Sequence, residues 1–114
     1  EINKKISRYG SPDQNYLPLA HGTISADATS AIWVSHLGGT NVIKVGTGHY
    51  KFIFSYARIT PRSSIVVTPQ SSSPLICTAI YIGPSEFDVY VFNMAGVRVD
   101  GAFAFIVNDP INLF

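Results

Sequence analysis

The sequence predicts an all-β domain, a small antiparallel β-sandwich. Short runs of β-branched and aromatic residues are separated by Gly- and Pro-containing turns from residue 22 to residue 107, and this spacing is typical of sandwiches. No segment of about ten or more residues has apolar side chains at helical spacing. The 114 residues correspond to one domain of ordinary size, which can bury a core without a disulfide or a metal.

The first 22 residues, EINKKISRYGSPDQNYLPLAHG, predict a connector, and residues 23–114 predict the sandwich. Ile2 and Ile6, followed by Arg8, are typical of the end of a short helix or a coiled-coil stalk. Gly10 then begins a stretch that breaks a helix and indicates an extended linker up to Pro18. Because the chain begins with Glu instead of Met, we expect it to be a piece of a longer protein.

Nine strands are predicted after the connector, each bounded by turn residues. They span residues 22–26, 31–37, 41–45, 48–56, 64–68, 75–82, 87–92, 97–99 and 101–107. The turns between them contain Gly, Pro, Asp or Ser, which favour chain reversal.

Side chains alternate between the two faces of a strand, so the positions of the aromatic residues predict which face is the core. Three apolar rows are predicted to point inward: Tyr50, Phe52, Phe54 and Tyr56; Phe87, Val89 and Val91; and Phe103, Phe105 and Val107. Each large side chain that is fully buried contributes about 1.5–3 kcal/mol. His49 and Lys51 are predicted to face outward, and Cys77 is expected to be a small buried hydrophobic residue.

Several predicted strands are apolar on both faces, whereas the outer face of a sandwich is normally polar. Ala102, Ala104 and Ile106 back the last inward row. The whole chain is 46% hydrophobic and only 13% charged, against about 25% charged in typical domains. We therefore expect the second face of the last strand to contact other copies of the chain, with Ala102, Ala104 and Ile106 at the subunit interface.

The charge and the hydropathy pattern exclude two classes of partner. The net charge is +1, and the Lys and Arg residues form no basic stripe of the kind that nucleic-acid binding requires. No apolar run approaches the roughly 20 residues of a membrane-spanning helix. We expect neither a nucleic-acid partner nor membrane insertion.

The sequence contains no catalytic or metal-binding pattern, so we expect no enzyme activity, no metal and no cofactor. The three histidines, His21, His36 and His49, lack metal-ligand spacing, and no serine lies in the Gly-x-Ser-x-Gly pattern of a hydrolase. Glu86 and Asp88 share one face of a predicted strand, but such a pair acts on a glycosidic bond only below a substrate cleft. We expect both carboxylates to be solvated on an outer sheet face.

Two groups of residues are candidates for ligand binding, each with a structural alternative. Trp33, with His36 nearby, can stack on the apolar face of a sugar ring, or it can be an aromatic residue of the core or of an interface. Glu86, Asp88 and Tyr90 share the outward face of one predicted strand. Carboxylates beside an aromatic ring are typical of a sugar site. The same combination also occurs among ordinary surface residues that bind no ligand.

Residues 46–109 carry a resemblance to known families. The segments GTGHYKFIFSYARITPRSSIVVTPQSSS and EFDVYVFNMAGVRVDGAFAFIVND resemble the carboxy-terminal β-domains of phage tail fibres and bacterial trimeric adhesive fibres. Their strand order and spacing are also similar to those of the H-type lectins, small sandwiches that trimerise and bind amino sugars. The resemblance implies a jelly-roll or H-type-lectin-like sandwich, a homotrimer, an extracellular location on a cell surface or virion fibre, and a connector role for residues 1–22 after a fibre shaft.

Two functions follow from this resemblance. The first is a receptor-binding tip, an adhesin-like head of a trimeric fibre that recognises a cell-surface glycan or protein. The second is a structural cap that sets the register of the fibre and ends it, with no ligand of its own.

Overall fold

A computed structural model describes residues 19–35, 37–57 and 59–108. These residues form eight strands: β1 (Ala20–Ile24), β2 (Ala31–Ser35), β3 (Thr40–Gly46), β4 (His49–Phe54), β5 (Ser64–Pro69), β6 (Leu75–Gly83), β7 (Glu86–Asn93) and β8 (Phe103–Asn108). Within these ranges no helix has the length and apolar character needed to cross a membrane. The all-β prediction is confirmed.

The strands form two four-stranded sheets in which every pairing is antiparallel. The order is β2-β1-β8-β5 in the first, which we call sheet A, and β3-β4-β7-β6 in the second, which we call sheet B. The two sheets pack their inner faces on one hydrophobic core. The architecture is therefore consistent with a small β-sandwich.

The core consists largely of the predicted inward rows. Phe52 of β4 is fully buried, and its ring centroid lies 4.5 Å from that of Phe87 in sheet B and 4.7 Å from that of Phe105 in sheet A. Aromatic rings therefore connect the two sheets directly. Cys77 is half-buried on the inner side of β6, and burial raises the pKa of its thiol.

The prediction that Tyr56 belongs to the inward row is wrong. Tyr56 is 58% exposed, whereas Phe54 is buried. The ladder of β4 ends at Phe54, after which the backbone N–H of Ser55 donates to the Gly39 carbonyl and that of Tyr56 to the Leu37 carbonyl. Because the chain leaves the sheet here, the alternation of faces no longer applies to Tyr56.

Other predicted strand limits also differ from the structure. Residues 97–99 form no strand, and only Arg98 makes a β-bridge, to Phe92. The Asn93 side chain accepts hydrogen bonds from the N–H groups of Ala95 and Val97 and so forms a tight turn. The residues of this turn are therefore not available for a longer ladder.

The boundary between the connector and the sandwich also differs from the prediction. Strand β1 begins at Ala20, so the last residues of the predicted connector belong to sheet A. The connector up to residue 18 lies outside the described residues.

The Asp100 carboxylate joins the β3–β4 turn to the segment between β7 and β8. Its Oδ1 accepts a hydrogen bond from the backbone N–H of Gly48 at 2.9 Å, and its Oδ2 lies 3.2 Å from Lys44 Nζ. Gly48 has a φ of 64° and is enclosed by backbone atoms of Val91 and Val99, so no other residue fits this turn without strain. The Gly48 N–H, and after it Lys44, lower the pKa of Asp100.

Replacing Asp100 by Ala is expected to lower the free energy of unfolding by about 1 kcal/mol at neutral pH, because a partly exposed charged hydrogen bond is lost. The folded pKa of Asp100 is lowered, so its stabilisation is fully present above the ordinary carboxyl pKa of 3.8 and is lost as the pH falls through the folded value. Urea unfolding at about pH 7 and about pH 2 measures the free energy of unfolding of both proteins. The difference between the wild type and Asp100→Ala should be smaller at the acidic pH. An equal deficit at both pH values would contradict the assignment. Asp100→Asn, which keeps an acceptor oxygen and does not titrate, is the matched control.

Candidate functional site

The outer face of sheet B carries polar, aromatic and isoleucine side chains in regular rows. The register places outward-pointing residues in rows across the sheet: Ile76, Phe92 and Arg98; Thr78, Tyr90 and His49; Ile80, Asp88, Lys51 and Ile43; and Glu86, Ile53 and Asn41. We call this set the sheet B face. Neighbouring rows are two residues apart along a strand, which is roughly 7 Å.

Asp88 lies at the centre of the sheet B face, and the expectation that it is solvated is wrong. Its exposure is 5%. The His49 imidazole N–H donates from Nε2 to Asp88 Oδ2 at 2.8 Å, and Lys51 Nζ donates to Oδ1 at 3.3 Å. Both donors come from the adjacent strand β4 and cover the carboxylate, so each of its oxygens has the partner that a buried charge requires.

Lys51 connects the two predicted site carboxylates. Its Nζ lies 3.3 Å from Asp88 and 3.5 Å from Glu86, which is half-buried. The hydrogen bond to Asp88 is the main cause of the raised pKa of Lys51. Since the protein itself uses these carboxylates as partners of Lys51 and His49, their first role is to hold the side chains of β4 in place.

The Tyr90 ring is the aromatic element of the sheet B face. The His49 ring stacks on it with centroids 4.4 Å apart and planes inclined by 21°, and the Arg98 guanidinium carbon lies 5.2 Å from the same centroid. Asp88 holds Nε2 of His49, so Nδ1 is the ring nitrogen that makes no contact with Asp88. Asp88, His49, Tyr90 and Arg98 thus form one continuous chain of contacts, which we call the Tyr90 cluster.

Trp33 does not join the Tyr90 cluster. It lies on β2 of sheet A, half-buried, and packs against the core. Its register partner Gly22 leaves room for it, because a Cβ built at Gly22 would lie 2.5 Å from the Trp33 Cβ. The structure brings Glu86, Asp88 and Tyr90 together and places Trp33 on the other sheet; His36 lies outside the described residues.

Sequence reasoning missed three residues of the site: His49, Lys51 and Arg98. Alternation along residues 48–56 already placed His49 and Lys51 on an outward face, but which strand lies beside them depends on the pairing of β4 with β7. For Arg98 the sequence carried no signal, because its position over Tyr90 follows from the turn at Asn93.

The predicted subunit-interface residues lie mainly on the outer face of sheet A. Ala104 and Ile106 of β8 point outward there, and Ala102, just before β8, is half-buried with its carbonyl accepting the Gln70 N–H. We call the outward residues of sheet A the sheet A face: His21, Thr23, Ile32, Val34, Ser64, Val66, Thr68, Ala104, Ile106 and Asn108. It includes no Lys, Arg, Asp or Glu.

The sheet A face exposes aliphatic side chains in the single chain. The exposed fractions are 78% for Ile32, 50% for Val34, 49% for Val66 and 42% for Ile106. That other copies of the chain bury the second face of the last strand stays a prediction.

Comparisons of the chain with protein-family models, curated proteins and solved structures found no match. Among the described residues no three His, Cys, Asp or Glu side chains are grouped as metal ligands. The function is therefore inferred from the two outer faces.

Proposed function

We propose that this domain is the receptor-binding tip of a homotrimeric fibre and that it recognises a cell-surface glycan or protein through the sheet B face. The observation that carries the proposal is the contrast between the outer faces. The sheet A face holds no Lys, Arg, Asp or Glu and combines exposed aliphatic side chains with small polar ones. The sheet B face also exposes isoleucines, but in addition it holds an aromatic ring among charged and hydrogen-bonding groups.

The sheet A face supports assembly. An exposed face without charges and with several large aliphatic side chains is typical of a surface that another protein covers. Most soluble oligomers are built from copies of one chain, and the small side chain of Ala104 permits a close approach of the neighbour. In this proposal the sandwich is jelly-roll or H-type-lectin-like, residues 1–22 connect it to a fibre shaft, and the tip lies on a cell surface or virion.

The sheet B face supports recognition. An aromatic ring offers apolar contact area, while imidazole and guanidinium groups select a pattern of ligand oxygens. The buried Asp88 holds His49 in one orientation, so less side-chain entropy is lost on binding. One such site is weak, and three copies on one tip strengthen binding through avidity.

A structural cap without a ligand is the second candidate. The sheet A face supports assembly in both candidates, so only binding by the sheet B face separates them.

Tyr90→Ala is expected to weaken binding of the assembled domain to a glycan array and to target cells by about tenfold or more, which corresponds to about 1.4 kcal/mol, because the ring's contact area and its support of His49 and Arg98 are lost. Tyr90→Phe keeps the ring and should bind like the wild type. Trp33→Ala tests the other predicted aromatic position: loss of binding there, with Tyr90→Ala unaffected, would move the site to sheet A. Equal binding by both variants shows that the named residues are wrong. If the wild type binds neither glycans nor cells, the cap replaces the receptor-binding tip.

A further inference from the structure

Arg98 is a cation of the sheet B face with no carboxylate partner among the described residues. Its side chain is exposed, and its guanidinium lies over the Tyr90 ring. The other cation of the face, Lys51, is engaged by two carboxylates. Within the described part of the chain, Arg98 is thus a cation of this face whose N–H donors have no carboxylate partner and can meet an anion.

Two acids of the segments that surround Arg98, Asp88 of β7 and Asp100 two residues further along the chain, are already paired. Asp88 is held by His49 and Lys51, and Asp100 by Lys44 and the Gly48 N–H. Glu86 is six residues along β7 from the row of Arg98, which corresponds to about 20 Å and exceeds the Debye length of about 8 Å at physiological salt. An anion beside Arg98 therefore meets little repulsion.

The surroundings of Arg98 are preorganised and amphipathic. The ring of Tyr90 contacts the His49 ring and the Arg98 guanidinium. Ile76, which is 43% exposed, lies in the same row of the sheet B face as Phe92 and Arg98. Met94, at 65% exposure, and Val97, at 57%, belong to the turn that joins Phe92 to Arg98. A planar, delocalised guanidinium resting on an aromatic ring presents its N–H groups as a fork that matches a carboxylate or a sulfate. The exposed apolar side chains of this region suit the C–H face of a sugar ring.

We propose that the Tyr90 cluster binds an acidic saccharide and that Arg98 holds its anionic group, a carboxylate or a sulfate ester. This proposal rests on the proposed receptor-binding function and specifies its ligand class. Arg98, a cation with no carboxylate partner among the described residues, matches one monoanionic group. In this proposal His49 Nδ1, the ring nitrogen that Asp88 does not hold, pairs with a neighbouring hydroxyl. The sugar ring packs on the exposed Ile76 side chain in the same row of the sheet B face.

The test uses three probes that share one sugar ring: methyl glucuronide, methyl glucoside and glucose 6-sulfate. Each is titrated into the ¹⁵N-labelled wild-type domain and followed by amide chemical shifts. A single anchored monosaccharide is expected to bind with a Kd on the order of millimolar. Arg98→Gln should weaken binding of the acidic probe at least about tenfold, and Arg62→Gln, which removes an exposed arginine elsewhere, should bind like the wild type.

The outcomes separate this inference from the proposed function. Arg98-dependent binding of the glucuronide alone, of the sulfate alone or of both supports the proposal and identifies the anionic group. Equal binding of the glucoside, equal binding by Arg98→Gln, or no shift with any probe at about 20 mM overturns it. In that case Tyr90-dependent binding to a glycan array still supports a receptor-binding tip for neutral ligands. A wild type that binds neither arrays nor cells rejects the tip itself.

Discussion

Phe52→Ala is expected to lower the free energy of unfolding by about 3–5 kcal/mol. Phe52 is fully buried at the point where the two sheets meet, in contact with Phe87 on its own sheet and with Phe103 and Phe105 on the other. Truncation loses the favourable transfer free energy of the buried ring and leaves a cavity between the two sheets. The backbone hydrogen bonds within each sheet keep the sheets in place, so they do not move together to fill the cavity. Because small domains are stable by only about 5–15 kcal/mol, the variant loses a large share of its stability.

Urea unfolding followed by circular dichroism measures this loss. Phe92→Ala is the matched control, since it removes the same ring from the half-buried outer position of β7 and should cost about 1 kcal/mol. Phe52→Leu keeps most of the volume and should fall between the two. If Phe52→Ala costs no more than Phe92→Ala, the aromatic contact between the sheets is not the centre of the core.

Ala104→Glu is expected to abolish assembly of the proposed trimer. The register places Ala104 between Thr23 and Thr68 on the sheet A face, whose outward residues include no Lys or Arg to pair with a carboxylate. At a subunit interface the new charge is buried without a partner, which costs several kcal/mol, on the order of 3–5. In the separated chain the same Glu remains in water, so the fold itself should survive.

Sedimentation velocity at micromolar concentration measures assembly, with circular dichroism as the check on folding. Ser72→Glu, in the exposed loop between β5 and β6, introduces the same charge away from the face and should remain trimeric. A wild type that sediments as a monomer would reject the trimer. An Ala104→Glu trimer with an unaltered melting temperature would show that Ala104 faces solvent in the assembly.

The predicted fold class and most of the core follow from local pattern. The rows of Tyr50 to Phe54, Phe87 to Val91 and Phe103 to Val107 are buried as alternation predicts, because a strand turns successive side chains to opposite faces whatever lies beside it. The pattern failed at Tyr56 and at residues 97–99. In both places the chain leaves the strand ladder. The hydrogen bond from Tyr56 N–H to the Leu37 carbonyl and the one from Val97 N–H to the Asn93 side chain determine where it leaves.

The candidate site was predictable only in part. Alternation along β7 placed Glu86, Asp88 and Tyr90 on one outward face, and the structure agrees. It did not predict that Asp88 is buried, since the side chains that cover Asp88 are His49 and Lys51, which are distant in sequence.

The sequence by itself determined the strand periodicity, the aromatic inner rows and the low charge of this protein, since these depend on each residue and its near neighbours. Only the tertiary structure decided which strands are adjacent and in which register. That choice placed Arg98 over Tyr90, enclosed Asp88, and put Trp33 on the opposite sheet from Tyr90. The physical reason is that strand pairing is a contact between distant segments, whose register is selected by the packing of the whole core.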